Sequence, residues 1–201
     1  MARAFEELYA VPDAFRDIEM AGRIDTWILS SAAAAHGVDP SALAPFEGAY
    51  LAHLERELEA PNPRKIEMPG VRLLLDTLAS RDDAYLALLT GNYEKAARLK
   101  LEHFDLWRYF PCGAFAGDAS DRNSLLPKAL ARIRACGGPA VGPGGVIVVG
   151  DTPHDVACAR SGGARSIGVA TGSFSAQQLR DSGAETVFED LSDTDAFLKL
   201  L

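Results

Sequence analysis

Two aspartates four residues apart, Asp151 and Asp155, follow the apolar run Val146-Ile-Val-Val-Gly150 in this chain of 201 residues. The run is short, β-branched and closed by glycine, the pattern of a strand buried on both faces. Asp151 then marks the strand's end. Thr152 is a good N-cap, Pro153 suits the first helical position, and Asp155 falls in the first turn, where a carboxylate meets the positive end of the helix. Both carboxylates therefore lie at the carboxyl end of a buried strand, the edge where open α/β sheets bind ligands. They read as a turn residue with a helix-dipole partner, or as oxygen ligands for a hard cation. Magnesium (Mg2+) is commonly held by one or two carboxylates together with water and phosphate oxygens.

Thr90-Gly91-Asn92 occupies the matching place after a second apolar run. A hydroxyl, a glycine that lets backbone approach and the free N–H groups of a helix start suit a phosphate oxygen. Such a site also calls for a fixed cation. Arg122, in the loop Asp118-Ala-Ser-Asp-Arg-Asn123 just ahead of a predicted helix, is the favoured partner; Lys128, a turn into that helix, is the alternative. His154 reads as exposed and incidental, and His36, His53 and His103 as structural or surface residues. The chain has no Gly-x-Ser-x-Gly elbow, no Gly-x-x-x-x-Gly-Lys loop and no Gly-x-Gly-x-x-Gly after a strand, which argues against an NTPase and a nicotinamide enzyme.

The elements that must position these residues fall into two blocks. From the start to about residue 60 the apolar spacing is helical. Asp25 or Thr26 caps a helix that Gly37 stops, and Phe46, Tyr50, Leu51, Leu54 and Leu58 form an apolar stripe. Pro61-Asn-Pro-Arg-Lys-Ile-Glu-Met-Pro-Gly70 is the boundary. Beyond it the pattern alternates: helix 71–79, strand 84–89, helix 93–103, strand 112–116, helix 124–136, strand 146–150 with its helix, strand 166–170, helix 175–181, strand 185–188 and helix 193–200. The expectation is a helical subdomain over 1–62 and, over 63–201, an α/β core with a Rossmann-like, mostly parallel sheet covered by helices on both faces.

Bulk numbers bound the function. Hydrophobic content of 48% and charged content of 24% are ordinary for a globular chain. A net charge of −8 argues against nucleic-acid partners, since no basic surplus displaces counterions. Cys112, Cys136 and Cys158 match no metal or redox spacing and read as reduced thiols. No apolar run reaches membrane-span length, and the acidic start is unlike a signal peptide, so the expected setting is cytoplasmic.

These motifs together resemble the haloacid dehalogenase (HAD) superfamily, and most closely its phosphoglycolate-phosphatase-like hydrolases. Leu88-Leu-Thr-Gly-Asn92 is similar to the second motif, whose Thr holds the transferring phosphoryl group. Val148-Val-Gly-Asp-Thr-Pro-His-Asp155 is similar to the fourth, whose acidic residues bind magnesium. The stretches Gly163-Ala-Arg-Ser-Ile-Gly-Val-Ala-Thr-Gly172 and Gly183-Ala-Glu-Thr-Val187 are also similar. The resemblance implies a helical cap over residues 1–62, with Arg23, Asp25 and Trp27 as candidates to line the pocket. It implies an Mg2+-dependent phosphatase acting on a small phosphorylated metabolite. Thr90, Arg122 and Asp151 would be catalytic, Thr90, Gly91, Asn92, Arg122 and Lys128 phosphate-binding, and Asp151 and Asp155 the metal ligands.

Two departures qualify it. The third motif usually carries Lys, and here Arg122 is best placed, keeping the charge but changing the hydrogen-bond geometry. The first motif, Asp-x-Asp-Gly-Thr on an N-terminal strand, is absent; the one Asp-x-Asp, Asp193-Thr-Asp195, opens the last helix. The nucleophilic Asp and a central strand would go with it, so this chain is expected to start inside the cap, to be catalytically crippled and to be poorly stable. A binding module without turnover is the rival reading; within the superfamily a phosphomutase is a further alternative, and a dehalogenase a weaker one.

Overall fold

The computed structural model describes residues 1–63 and 65–201; Arg64, inside the expected boundary segment, lies outside the described residues. The first block is helical because its apolar residues recur on one face: α1 (Ala2–Tyr9), α2 (Asp25–His36) and α3 (Phe46–Glu59). Helix α2 stops at Gly37, which takes the left-handed φ of 67°. Phe5 is fully buried, with Tyr9, Phe15 and Phe46 rings 4.6, 5.4 and 6.2 Å away in edge-on geometry. The expected Asp25 or Thr26 cap does not form. Ile24 is the N-cap, without a side-chain bond, because Asp25 turns to another helix.

The second block alternates: α4 (Val71–Ala79), β1 (Leu88–Leu89), α5 (Glu94–Glu102), β2 (Gly113–Ala114), α6 (Leu125–Ala135), β3 (Ile147–Gly150), α7 (Pro153–Ser161), β4 (Arg165–Val169), α8 (Ala176–Asp181), β5 (Thr186–Phe188) and α9 (Thr194–Leu198). Among the described residues every strand pair is parallel, as the long helical crossovers require. The sheet comes in two pieces, β1–β2 and β3–β4–β5. The strand expected over 84–89 is regular only at Leu88–Leu89, because β2 pairs with it on one side and, among the described residues, no strand pairs with it on the other.

The two blocks share an interior. One apolar cluster joins Phe5, Ile28 and Phe46 to Tyr93, Ala114 and Leu125, across the 62/63 boundary. Beyond it, one cluster centres on Leu74, Leu78 and Phe197 and another on Leu126, Val148 and Cys158.

The expectation of three reduced cysteines is corrected. Helix α6 packs along β2, so its C-cap residue Cys136 comes within 6.6 Å (Cα to Cα) of Cys112, and the two form a disulfide. That proximity arises from packing across 24 residues and leaves no trace in local spacing. Cys158 is free and buried, its thiol donating to the Arg122 carbonyl at 3.1 Å.

Candidate active site

The carboxyl ends of β1 and β3 open on one cavity of about 460 Å³. Thr90, Gly91, Asn92, Arg122, Asp151 and Asp155 all line it. Lys128 does not; it is exposed on α6, facing away from the buried Leu125, Leu126 and Ala129 stripe.

The α7 turn is set locally. Thr152 Oγ1 accepts from the Asp155 N–H at 3.3 Å, and Asp155 Oδ2 accepts from the Thr152 N–H at 3.1 Å and its hydroxyl at 2.9 Å, a closed capping box. The other oxygen, Oδ1, accepts from Arg122 Nε at 3.1 Å and from Nη2, which also donates to the Leu89 carbonyl at 3.0 Å. One guanidinium thus ties the end of β1 to the start of α7. Asp155 is buried and Arg122 nearly so, their side chains 6% and 13% exposed.

Thr90 Oγ1 accepts from the Asn92 N–H at 3.2 Å and from its Nδ2 at 2.9 Å. With its acceptor side filled from within the turn, the hydroxyl proton is free to donate into the cavity. Asn92 Oδ1 in turn accepts from Lys100. Lys100 was missed by the sequence reading, though a signal existed: Tyr93, Ala96, Ala97 and Lys100 follow the i, i+3, i+4, i+7 spacing of α5's buried face. Burial pushes its ammonium below the ordinary lysine value, with Asp25 opposing.

The helical block closes the other side. The Asp25 N–H donates to the Gly91 carbonyl at 2.6 Å, and Asp25 Oδ2 accepts from the Tyr93 N–H at 2.8 Å, capping α5 from a distance of 68 residues. Burial raises the Asp25 carboxyl despite that N–H and Lys100. Arg23 lines the cavity with its guanidinium 4.5 Å above the Trp27 ring, whereas Trp27 itself is not part of the lining. His154 is half-buried rather than exposed: it packs beside Gly22 and its Nε2 is 3.5 Å from the Glu19 carboxylate, so it joins the contact between the blocks.

Asp151 differs from its neighbours. Its carboxyl is raised, first by burial and then by the charge of Asp155, with its own N–H and Arg122 opposing. A folded-state pKa above the unfolded one means that stability falls as pH rises from the unfolded value through the folded one. Asp151→Asn should therefore raise the melting temperature at neutral pH, and the gain should shrink as pH drops below the raised pKa. A gain independent of pH would show that the Asp151 charge is not under this stress.

An underneutralised carboxylate is also what a cation seeks. Asp151 and Asp155 both line the cavity and would be the carboxylates to offer oxygen to magnesium; Asp155 meanwhile accepts from Arg122 on one oxygen and from Thr152 on the other. Among the described residues no three His, Cys, Asp or Glu side chains gather as a metal cage.

Residues 123–194 match the HAD-hydrolase-like family model. No curated protein matches the chain. Among solved structures, a hydrolase from Pseudomonas syringae is 21% identical with a TM-score of 0.70 over 99% of this chain and 89% of that one. A predicted phosphoglycolate phosphatase from Haemophilus somnus is 16% identical, with a TM-score of 0.67 over 99% and 87%. β-Phosphoglucomutase from Clostridium difficile is 14% identical, with a TM-score of 0.65 over 98% and 90%. Identities this low speak for the fold, and the matched segment speaks for the sequence pattern around Asp151 and Asp155. The chain has the haloacid dehalogenase-like fold and carries, over residues 123–194, the sequence pattern of that hydrolase family.

Proposed function

We propose that the cavity binds the phosphoryl group of a small phosphorylated metabolite, as part of an Mg2+-dependent, phosphoglycolate-phosphatase-like hydrolase of the cytoplasm. The observation that carries this is the convergence of Thr90, Arg122 and Asp151, from three separate loops, on one cavity whose size suits a small ligand. Thr90 donates its hydroxyl to one phosphoryl oxygen. Arg122, held by Asp155 and the Leu89 carbonyl, offers its guanidinium to another. The α5 start at Tyr93 brings a favourable dipole to the same group. Magnesium at Asp151 would neutralise charge developing on the phosphoryl oxygens.

A second reading, phosphate binding without turnover, is favoured by the commitments of the carboxylates. Asp155 answers Arg122 and Thr152, Asp25 answers Tyr93, and Asp151 is the cation's partner, which leaves none of the three to attack phosphorus. Titration calorimetry with inorganic phosphate, with and without Mg2+, tests the shared part. Phosphate should bind more tightly with Mg2+, and Asp151→Asn should lose that enhancement; no binding at millimolar phosphate and Mg2+ overturns both readings. Hydrolysis of p-nitrophenyl phosphate by these 201 residues separates them, turnover supporting the hydrolase and binding alone the module.

A further inference from the structure

Lys100 sets a half-buried cation against an amide. It lies in the last turn of α5, on the face that Tyr93, Ala96 and Ala97 bury, and it lines the cavity beside Asn92. Among the described residues its ammonium has one hydrogen-bond acceptor, Asn92 Oδ1. Asp25 acts on it through charge, against the cost of burial. A long cationic side chain loses rotamer freedom and hydration in such a place. What that placement achieves is seen in the groups that Asn92 meets next.

Donors and acceptors fix the direction of the whole turn. An ammonium has three donors and no acceptor, so Asn92 must give Lys100 its carbonyl oxygen and turn its NH2 group the other way. Nδ2 then donates to Thr90 Oγ1 at 2.9 Å, where the Asn92 backbone N–H also arrives at 3.2 Å. A hydroxyl has two lone pairs and one proton. Both lone pairs are taken, and the proton alone is left for the cavity. With the amide turned over, Oδ1 would accept that proton and Nδ2 would face the ammonium, donor against donor. Lys100 excludes that arrangement.

We propose that Lys100 is a positioning residue that acts through Asn92 to make Thr90 a donor only, so that the turn selects a ligand atom that only accepts, such as an oxygen of an ionised phosphoryl group. The inference rests on the phosphoryl-binding reading of the cavity and adds the residue that sets the polarity of its threonine. Lys100 needs no contact with the ligand for this. A direct contact between Lys100 and the ligand would differ in one measurable respect, because its effect would not depend on Asn92.

The first measurement uses no ligand. Nitrogen-15 NMR of the side-chain amides should show the Asn92 NH2 pair, identified by its loss in Asn92→Ala, protected from exchange with water. Lys100→Met should speed that exchange by about fivefold to tenfold, the weight of one hydrogen bond. Lys100→Gln, which keeps a polar end, is read in the same way should the Met variant unfold. The second measurement is calorimetry with inorganic phosphate. Lys100→Met should weaken binding by about tenfold in the wild-type chain. In an Asn92→Ala background it should weaken binding by no more than about twofold, the remainder being the lost charge acting through solvent. Equal losses in the two backgrounds, or Asn92 exchange unchanged by loss of the Lys100 ammonium, would each overturn the proposal. If the wild-type chain binds no phosphate, the phosphoryl reading falls, and the ligand-free exchange alone decides the role of Lys100.

Discussion

Arg122→Met is expected to destabilise the protein by about 3–5 kcal/mol, the cost of leaving a buried carboxylate without its partner. For a chain of this size that lowers the melting temperature by roughly 6–20 °C. The reason is specific to the geometry. Asp155 is 6% exposed and takes two donors from Arg122 on a single oxygen, so losing the guanidinium strips one oxygen of a nearly buried carboxylate of both its donors. The Leu89 carbonyl loses its donor in the same change. Urea denaturation at pH 7 measures the effect. Adding Asp155→Leu should recover part of the stability, because the charge that lacked a partner is then gone. A single-variant loss below about 1 kcal/mol would place the pair in the class of exposed ion pairs. Phosphate affinity should fall in Arg122→Met and stay low in the double variant, which separates the residue's stabilising role from its role toward a ligand.

Gly91→Ala should act on the same cavity from the other side. A Cβ at Gly91 would run into the Arg23 carbonyl oxygen and crowd Ile24, both backbone positions that cannot rotate out of the way. The loop before α2 must then lift from the turn, breaking the 2.6 Å bond from the Asp25 N–H to the Gly91 carbonyl. Overpacking of this kind costs about 1–3 kcal/mol. Phosphate affinity should drop on the order of tenfold, since Thr90 and Asn92 belong to the displaced turn and small misplacements of binding groups are expensive. Arg23→Gly added to Gly91→Ala should give no rescue, because the obstructing atom is backbone. Rescue by that second change would instead implicate the Arg23 side chain, and wild-type behaviour of Gly91→Ala would mean that the two loops do not touch.

Much of the core was legible because its signals are local. The Thr152–Asp155 capping box spans three residues, so composition alone announces it. The α5, α6 and α7 helices begin close to where the strand-to-helix punctuation puts them, and β3 occupies four of its five expected residues. Arg122 was favoured over Lys128 from its loop position, and burial separates them: Arg122 is 13% exposed in its side chain and Lys128 faces out.

What local pattern could not carry is everything that depends on which distant residues meet. Asp25 looks like a helix cap in its own segment, yet its carboxylate serves the Tyr93 N–H. Cys112 and Cys136 have no motif spacing, yet β2 and the end of α6 bring them together. The length of β1 depended on its neighbours rather than its residues, because a strand is regular only where another edge pairs with it. By itself, then, the sequence determined the α/β alternation, the two loops that supply Thr90 and Asp151, and the chemical types available at the sheet edge. The tertiary structure alone decided that Arg122 spends its guanidinium on Asp155, that Lys100 and Asp25 face the cavity, and that the sheet comes in two pieces. Hydrogen bonds over three or four residues are set by neighbours in the chain, whereas ion pairs, disulfides and strand edges are set by packing across tens of residues.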